Sequence, residues 1–309
     1  MRSSWIALSL MALAVVSAEA QQPRTILFIG NSFTFGSGSA VRYWRANAVT
    51  DLNDEGTGGV PAPFKSFTDQ VGLPYDVYLE TRGGSAFDFH LQEKVAEITS
   101  RPWDVVVAHS YSTLDRDAPN DPTDLLATGR QLSDVLHERS PAVEIYVTST
   151  WSRPDMTYPE GTPWHGNGIE VMGRDMDLAY DRLAAEVQGV KAVNPVGPAF
   201  NRAIRTGVAD PNPYDGIDAG KMDLWTFDHY HASTYGYYLH ALVVFGNVTG
   251  VDPQALGRGE CSGYELGMSA DQVEALQQVA YDELVFGGVR LSMPAGRTPP
   301  GRGSACAAP

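Results

Sequence analysis

Short β-branched and apolar runs recur along this chain, and each pair is separated by enough sequence for a helix. Thr25 to Ile29, Trp103 to Ala108, Glu144 to Thr148 and Val190 to Asn194 read as strands buried on both faces, and Tyr75 to Glu80 is a further extended run. Helical periodicity fills the gaps. Asp124 to Glu138 sets Leu125, Leu132 and Leu136 on one side, and Met172 to Val187 does the same with Met176, Leu183 and Val187. Strand and helix in alternation predict a three-layer α/β sandwich around a parallel sheet. Two more helices are expected at Thr234 to Thr249 and Ala270 to Phe286. The Gly- and Pro-rich stretch Asn53 to Pro63 reads as irregular, and Trp151 to Gly168 reads as a loop following a strand.

The 309 residues divide into three parts. Residues 1–20 have a lone Arg2, an apolar run from Trp5 to Val16 and the small-residue ending Ala18-Glu19-Ala20, the pattern of a cleavable secretory signal. The apolar run is shorter than the ~20 residues needed to span a bilayer. Residues 21–292 are read as one domain, and residues 293–309, rich in Pro, Gly, Arg and Ala, as a loose tail. The expected location is therefore periplasmic or secreted, with no integral membrane association. A formal charge of -15 repels phosphate backbones and argues against a nucleic-acid partner. In an oxidising compartment the two cysteines, Cys261 and Cys306, could pair as a disulfide; two free thiols are the alternative.

Chemistry concentrates where strands end. Ile26 to Gly30 is followed at once by Asn31-Ser32-Phe33-Thr34, which puts Ser32 at the rim of the sheet with its amide at the start of a helix, able to donate to a developing oxyanion. Far downstream, Asp228-His229-Tyr230-His231 precedes the helix at Thr234. In one tight turn, the carboxylate at position i can hold the Nδ1 proton of the imidazole at i+3 and leave Nε2 to act as a base. A neutral serine hydroxyl is a weak nucleophile and needs such a base.

Gly30-Asn31-Ser32-Phe33 resembles the first block of the SGNH (GDSL-like) hydrolases, usually Gly-Asp-Ser-Leu, with Asn31 and Phe33 as departures. Asp228 to His231 resembles the family's closing Asp-X-X-His block, and Arg82-Gly83-Gly84-Ser85 its second block, with Gly84 as the glycine whose amide joins that of Ser32 in the oxyanion hole. The resemblance implies a flavodoxin-like sheet of about five parallel strands and ester hydrolysis through a covalent acyl-enzyme. In that scheme Ser32 is the nucleophile, His231 the base and Asp228 the orienting acid, with no cofactor. The third block departs from the family. After Val105 to Ala108 comes His109-Ser110-Tyr111-Ser112, with no asparagine, so His109 is either a substitute oxyanion donor or a satisfied core histidine. Tyr111, Trp151, Trp164 and Trp225, in or near the rim loops, are candidate substrate-binding aromatics, with loop packing as the alternative.

Expected substrates are small-molecule or carbohydrate esters, either short acyl chains or sugar O-acetyl groups, with a general lipolytic or aryl esterase as the second reading. Two other classes stay open. A metal-dependent hydrolase could use His229 and His231 beside Asp228, completed by His165 and His109. A noncatalytic carbohydrate-binding module could occupy the same scaffold. No Gly-X-Ser-X-Gly elbow and no nucleotide-binding glycine pattern occurs.

Overall fold

In the computed structural model, which describes residues 22–294, the first strand β1 (Arg24–Gly30) shows why the sheet must be covered on both sides. Successive side chains in a strand point to opposite faces. Ile26 and Phe28 enter one apolar cluster and Leu27 and Ile29 enter another, all of them buried. The first cluster is closed by the helices Pro61–Val71, Val196–Arg205, Thr234–Thr249 and Ala270–Phe286, and the second by Thr123–Arg139 and Glu170–Glu186. At about 1.5 to 3 kcal/mol for each large apolar side chain taken out of water, these two layers are the main drive for folding.

The remaining strands are β2 (Thr50–Asp51), β3 (Tyr75–Thr81), β4 (Val105–Ala108), β5 (Glu144–Ser149) and β6 (Val190–Pro195). All neighbours run parallel, in the order β2-β3-β1-β4-β5-β6. The fold is the expected three-layer α/β sandwich, with six strands in place of about five. The extra one, β2, is a two-residue edge pairing, too short to carry periodicity.

The helices Thr234–Thr249 and Ala270–Phe286 have the expected bounds because their ends are written in local chemistry. Ser233 caps the first, which stops at Gly250 in the left-handed region (φ 69°). Ser269 and Gln272 form a reciprocal capping box at the start of the second. One segment departs from expectation. Residues 61–63, read as irregular, open the helix Pro61–Val71, because proline fits the first turn, where an amide would have no helical acceptor. Val196–Arg205 is a helix that carries Gly197 and Pro198 in its first turn. A Cβ on Gly197 would lie 2.4 Å from the Thr150 carbonyl, so glycine permits the close approach of this helix to the loop after β5.

The signal segment 1–20 lies outside the described residues. So do the tail beyond Pro294 and Cys306, and with Cys306 the proposed disulfide. Among the described residues no helix is long and apolar enough to cross a membrane.

His240 lies in the middle of the fully packed helix Thr234–Thr249, near Trp151, with its Nδ1 unpartnered among the described residues. Burial, with a smaller contribution from His109, pushes its pKa from 6.5 down to about 3. The folded state therefore keeps it neutral while the unfolded chain binds a proton below pH 6.5, so stability falls as pH drops through that window. His240→Leu is expected to gain relative to wild type by up to about 1.4 kcal/mol per pH unit on acidification below 6.5. Parallel denaturant titrations at several pH values measure this, and a pH-independent difference would contradict it.

Candidate active site

The chain leaves β1 toward β2 and β3 on one side and later crosses to β4 on the other, which puts a topological switch point between β1 and β4. Three of the sequence blocks follow the carboxyl ends of neighbouring strands: Asn31-Ser32 after β1, Arg82 to Ser85 after β3, and His109 to Ser112 after β4. They therefore share one edge of the sheet.

Asn31 joins all three. Its Oδ1 accepts from the Phe33 amide (3.1 Å), capping the single turn Ser32–Phe35, and its Nδ2 donates to the carbonyls of Ser85 (2.9 Å) and Ser110 (3.2 Å). A carboxylate has no proton to give to either carbonyl, which accounts for asparagine where the resembling family usually has aspartate. Ser32 follows, 7% exposed, and its carbonyl accepts from the Tyr237 hydroxyl (3.1 Å) on the helix that comes directly after His231. Gly30 is a steric requirement. A Cβ there would lie 2.3 Å from Thr34 Oγ1 and 2.7 Å from His109 Nε2, two atoms that hydrogen-bond each other at 2.7 Å.

The closing block, Asp228 to His231, also behaves locally as its spacing predicts. His231 Nδ1 lies 2.6 Å from Asp228 Oδ2, while Asp228 Oδ1 accepts from Thr226 Oγ1 (2.7 Å) and from the amides of Tyr230 (3.0 Å) and His231 (2.9 Å). His229 makes the turn with φ 54°, in the left-handed region. Desolvation works against the charged form of Asp228, but the hydrogen bonds from His231, Thr226 and the two amides outweigh it and hold the carboxyl at about 2. His231 Nε2 is buried and without a hydrogen-bond partner among the described residues. Phe33, the residue after Ser32, packs its ring edge-on to His231 (centroids 5.7 Å apart) and to Tyr230 (5.3 Å). The fold thus brings the Ser32 turn and the His231 turn together across one aromatic contact.

Gly84 sits at φ 70° in a turn closed by Ser85 N–H to the Arg82 carbonyl (3.2 Å), a conformation that favours glycine, whereas Gly83 has no positive φ. The Gly84 carbonyl accepts from Arg116 Nη2 (2.7 Å), and Arg116 lies over the Tyr111 ring. Tyr111 is half-buried beside this glycine turn.

His109 takes the second of its two readings. It is buried, with Nδ1 against the Ser110 carbonyl (3.0 Å) and Nε2 against Thr34 Oγ1, so neither nitrogen is left over for a substrate oxygen. Desolvation lowers its pKa to about 4.

The tryptophans are a correction. Trp151 is sandwiched between Phe33 (4.0 Å) and Phe200 (5.1 Å) with its N–H on the Tyr230 carbonyl. Trp225 donates to the Ser152 carbonyl, and Trp164 to Asp175. All three are buried, because large apolar rings whose single N–H finds an internal acceptor are better used as packing than left in water. Trp151 backs the residue after Ser32, and none of the three offers a face to a substrate.

Sequence reasoning missed Phe227, 87% exposed just before Asp228, and Tyr214, 48% exposed with its ring 4.2 Å from that of His229. It also missed Arg153, whose guanidinium lies 3.6 Å from the Tyr230 ring centroid while bonding Ser112 and Asp155. The placement of Phe227 directly before the acid of the closing block was the available signal. For the metal reading, no group of three or more His, Cys, Asp or Glu side chains is placed to hold an ion among the described residues.

No protein-family model matches the chain, and no curated protein matches it. Among solved structures, it is similar to a DUF4886 family protein from Bacteroides uniformis ATCC 8492, at 16% identity and a TM-score of 0.56 over 88% of this chain and 98% of that one. It is also similar to a candidate GDSL-like lipase from Parabacteroides merdae ATCC 43184, at 17% identity and a TM-score of 0.52 over 75% and 98%. The fold is therefore the one the sequence blocks resemble, that of the SGNH (GDSL-like) proteins.

Asn31→Asp is expected to lower stability at neutral pH by about 1 to 3 kcal/mol, since it sets carboxylate oxygens against two carbonyls. Chemical denaturation measures it, and wild-type stability would show that the two amide donors do not hold the loops.

Proposed function

We propose that this chain is a serine ester hydrolase. The observation that carries the reading is the state of His231: Nδ1 is committed to a carboxylate held ionised, Nε2 is buried and unpartnered, and the ring packs on the residue next to Ser32. A buried ring nitrogen without a partner is costly unless a ligand or a reacting hydroxyl completes it. Catalytic hydrogen bonds commonly tighten only once substrate is bound.

In this reading His231 Nε2 takes the Ser32 proton as Oγ attacks the acyl carbonyl. The amides of Ser32 and Gly84 hold the oxyanion, and Asp228 stabilises the imidazolium that forms. His231 then protonates the leaving alcohol, and water repeats the cycle on the acyl-enzyme to release the acid. All the protons and bonds balance within ester plus water.

The substrate class we propose is a short-chain acyl ester, including sugar O-acetyl esters. With the three tryptophans buried, the aromatic faces open to a substrate are Phe227, Tyr214 and Tyr111, with Arg116 beside Tyr111 as a hydrogen-bond donor for hydroxyl or carbonyl groups. The leader pattern of residues 1–20 adds export to the proposal.

Hydrolysis of p-nitrophenyl acetate tests the mechanism. Ser32→Ala and His231→Ala are each expected to reduce kcat by roughly 10^4-fold or more, and undiminished turnover in both would end the serine reading. A series of p-nitrophenyl esters run beside acetylated xylose or glucose tests the substrate class. Acetyl esters should be turned over best, and a preference for long chains would favour a lipolytic enzyme.

A further inference from the structure

Behind the glycine turn lies a second chain of acid, imidazole and hydroxyl, of which the sequence blocks contain only Ser85. Glu80 is on β3, His90 is on the helix Phe87–Glu93, and Ser85 closes the turn between them. Glu80 and His90 are fully buried and Ser85 nearly so. His90 Nδ1 is paired with Glu80 Oε2, and His90 Nε2 lies 3.0 Å from Ser85 Oγ. The Ser85 hydroxyl donates to the Arg82 carbonyl at 2.8 Å, with the Gly30 carbonyl at 3.4 Å.

This arrangement has the parts of a nucleophile triad but not its access. Its hydroxyl is turned onto main-chain carbonyls in the protein interior, so no acyl group can reach it along that direction. The same bonds are well placed for another task. Arg82 is held at its amide by the Gly30 carbonyl (3.1 Å) and at its own carbonyl by Ser85, and the Ser85 carbonyl is held by Asn31. Both ends of the turn are therefore pinned, and only Gly83 and Gly84 lie between them. Glycine is the residue least able to hold its own backbone in one conformation. Donors at a reacting centre stabilise charge only if their direction is set beforehand.

We propose that Glu80, His90 and Ser85 are positioning residues that fix the Gly83–Gly84 peptide so that the Gly84 amide faces the oxyanion. This deepens the serine hydrolase reading above and rests on it. Ser85 is the working end, because it alone touches the turn. His90 orients Ser85, and Glu80 orients His90, in the way a carboxylate orients a histidine whose second nitrogen does the work.

The test is steady-state hydrolysis of p-nitrophenyl acetate by wild type, Ser32→Ala, Ser85→Ala, Ser85→Cys, His90→Gln and the Ser85→Ala/His90→Gln double variant, with thermal unfolding as the folding control. Ser85→Ala should lower kcat roughly ten-fold, less than the 10^2- to 10^3-fold cost of deleting an oxyanion donor outright, with KM within about two-fold of wild type, the signature of an interaction realised in the transition state. Ser85→Cys, which keeps a weak hydrogen-bonding group, should fall between Ser85→Ala and wild type, and it carries the test should Ser85→Ala fail to fold. His90→Gln acts through Ser85, so the double variant should be no slower than Ser85→Ala alone. Wild-type kcat in folded Ser85 variants, or a loss confined to KM, overturns the proposal while leaving the nucleophile reading intact. Full activity in Ser32→Ala overturns both.

Discussion

One buried amide side chain joins the parts of this site. Asn31 accepts from the turn that carries Ser32 and donates to the loops after β3 and β4, so three separate chain segments share one set of hydrogen bonds at the edge of the sheet. A polar group at 3% exposure is tolerated only when its bonding capacity is met, and here both donors and the acceptor are used. The distance between the serine turn and the glycine turn is thereby set by a rigid planar group.

The imidazole reaches the same place by a different route. Asp228 and His231 need only a four-residue turn to find each other, but the meeting with the Ser32 turn is made by packing: Phe33 lies flat on Trp151 and edge-on to His231 and Tyr230. Arg153 adds support by lying against the Tyr230 ring. Aromatic stacking keeps its geometry because the interior is close-packed. This explains why an aromatic residue stands at position 33, where leucine is usual in the resembling family. It also explains why Trp151 is absent from the solvent-facing surface.

Three histidines show how environment separates one residue type into different tasks. His109 and His240 are buried without a carboxylate partner and held neutral by desolvation, while His231 has a carboxylate on one nitrogen and nothing on the other. His240 also keeps an unpartnered nitrogen among the described residues, but of the three only His231 joins one to a carboxylate on the other side of its ring. Residue type does not separate the three; their partners do.

Local chemistry alone determined a good deal of this protein. The parallel sheet was legible in short strands buried on both faces, the bounds of Thr234–Thr249 and Ala270–Phe286 in their capping residues, and the Asp228–His231 bond in its i, i+3 spacing, because each depends on residues close in sequence. Tertiary structure decided the rest. It placed Trp151, Trp164 and Trp225 in the interior, closed His109 onto Thr34, and assembled the Glu80–His90–Ser85 brace behind the glycine turn. Each of these rests on which face a side chain meets after the sheet and helices pack, and that is set by neighbours many residues away that no local pattern encodes.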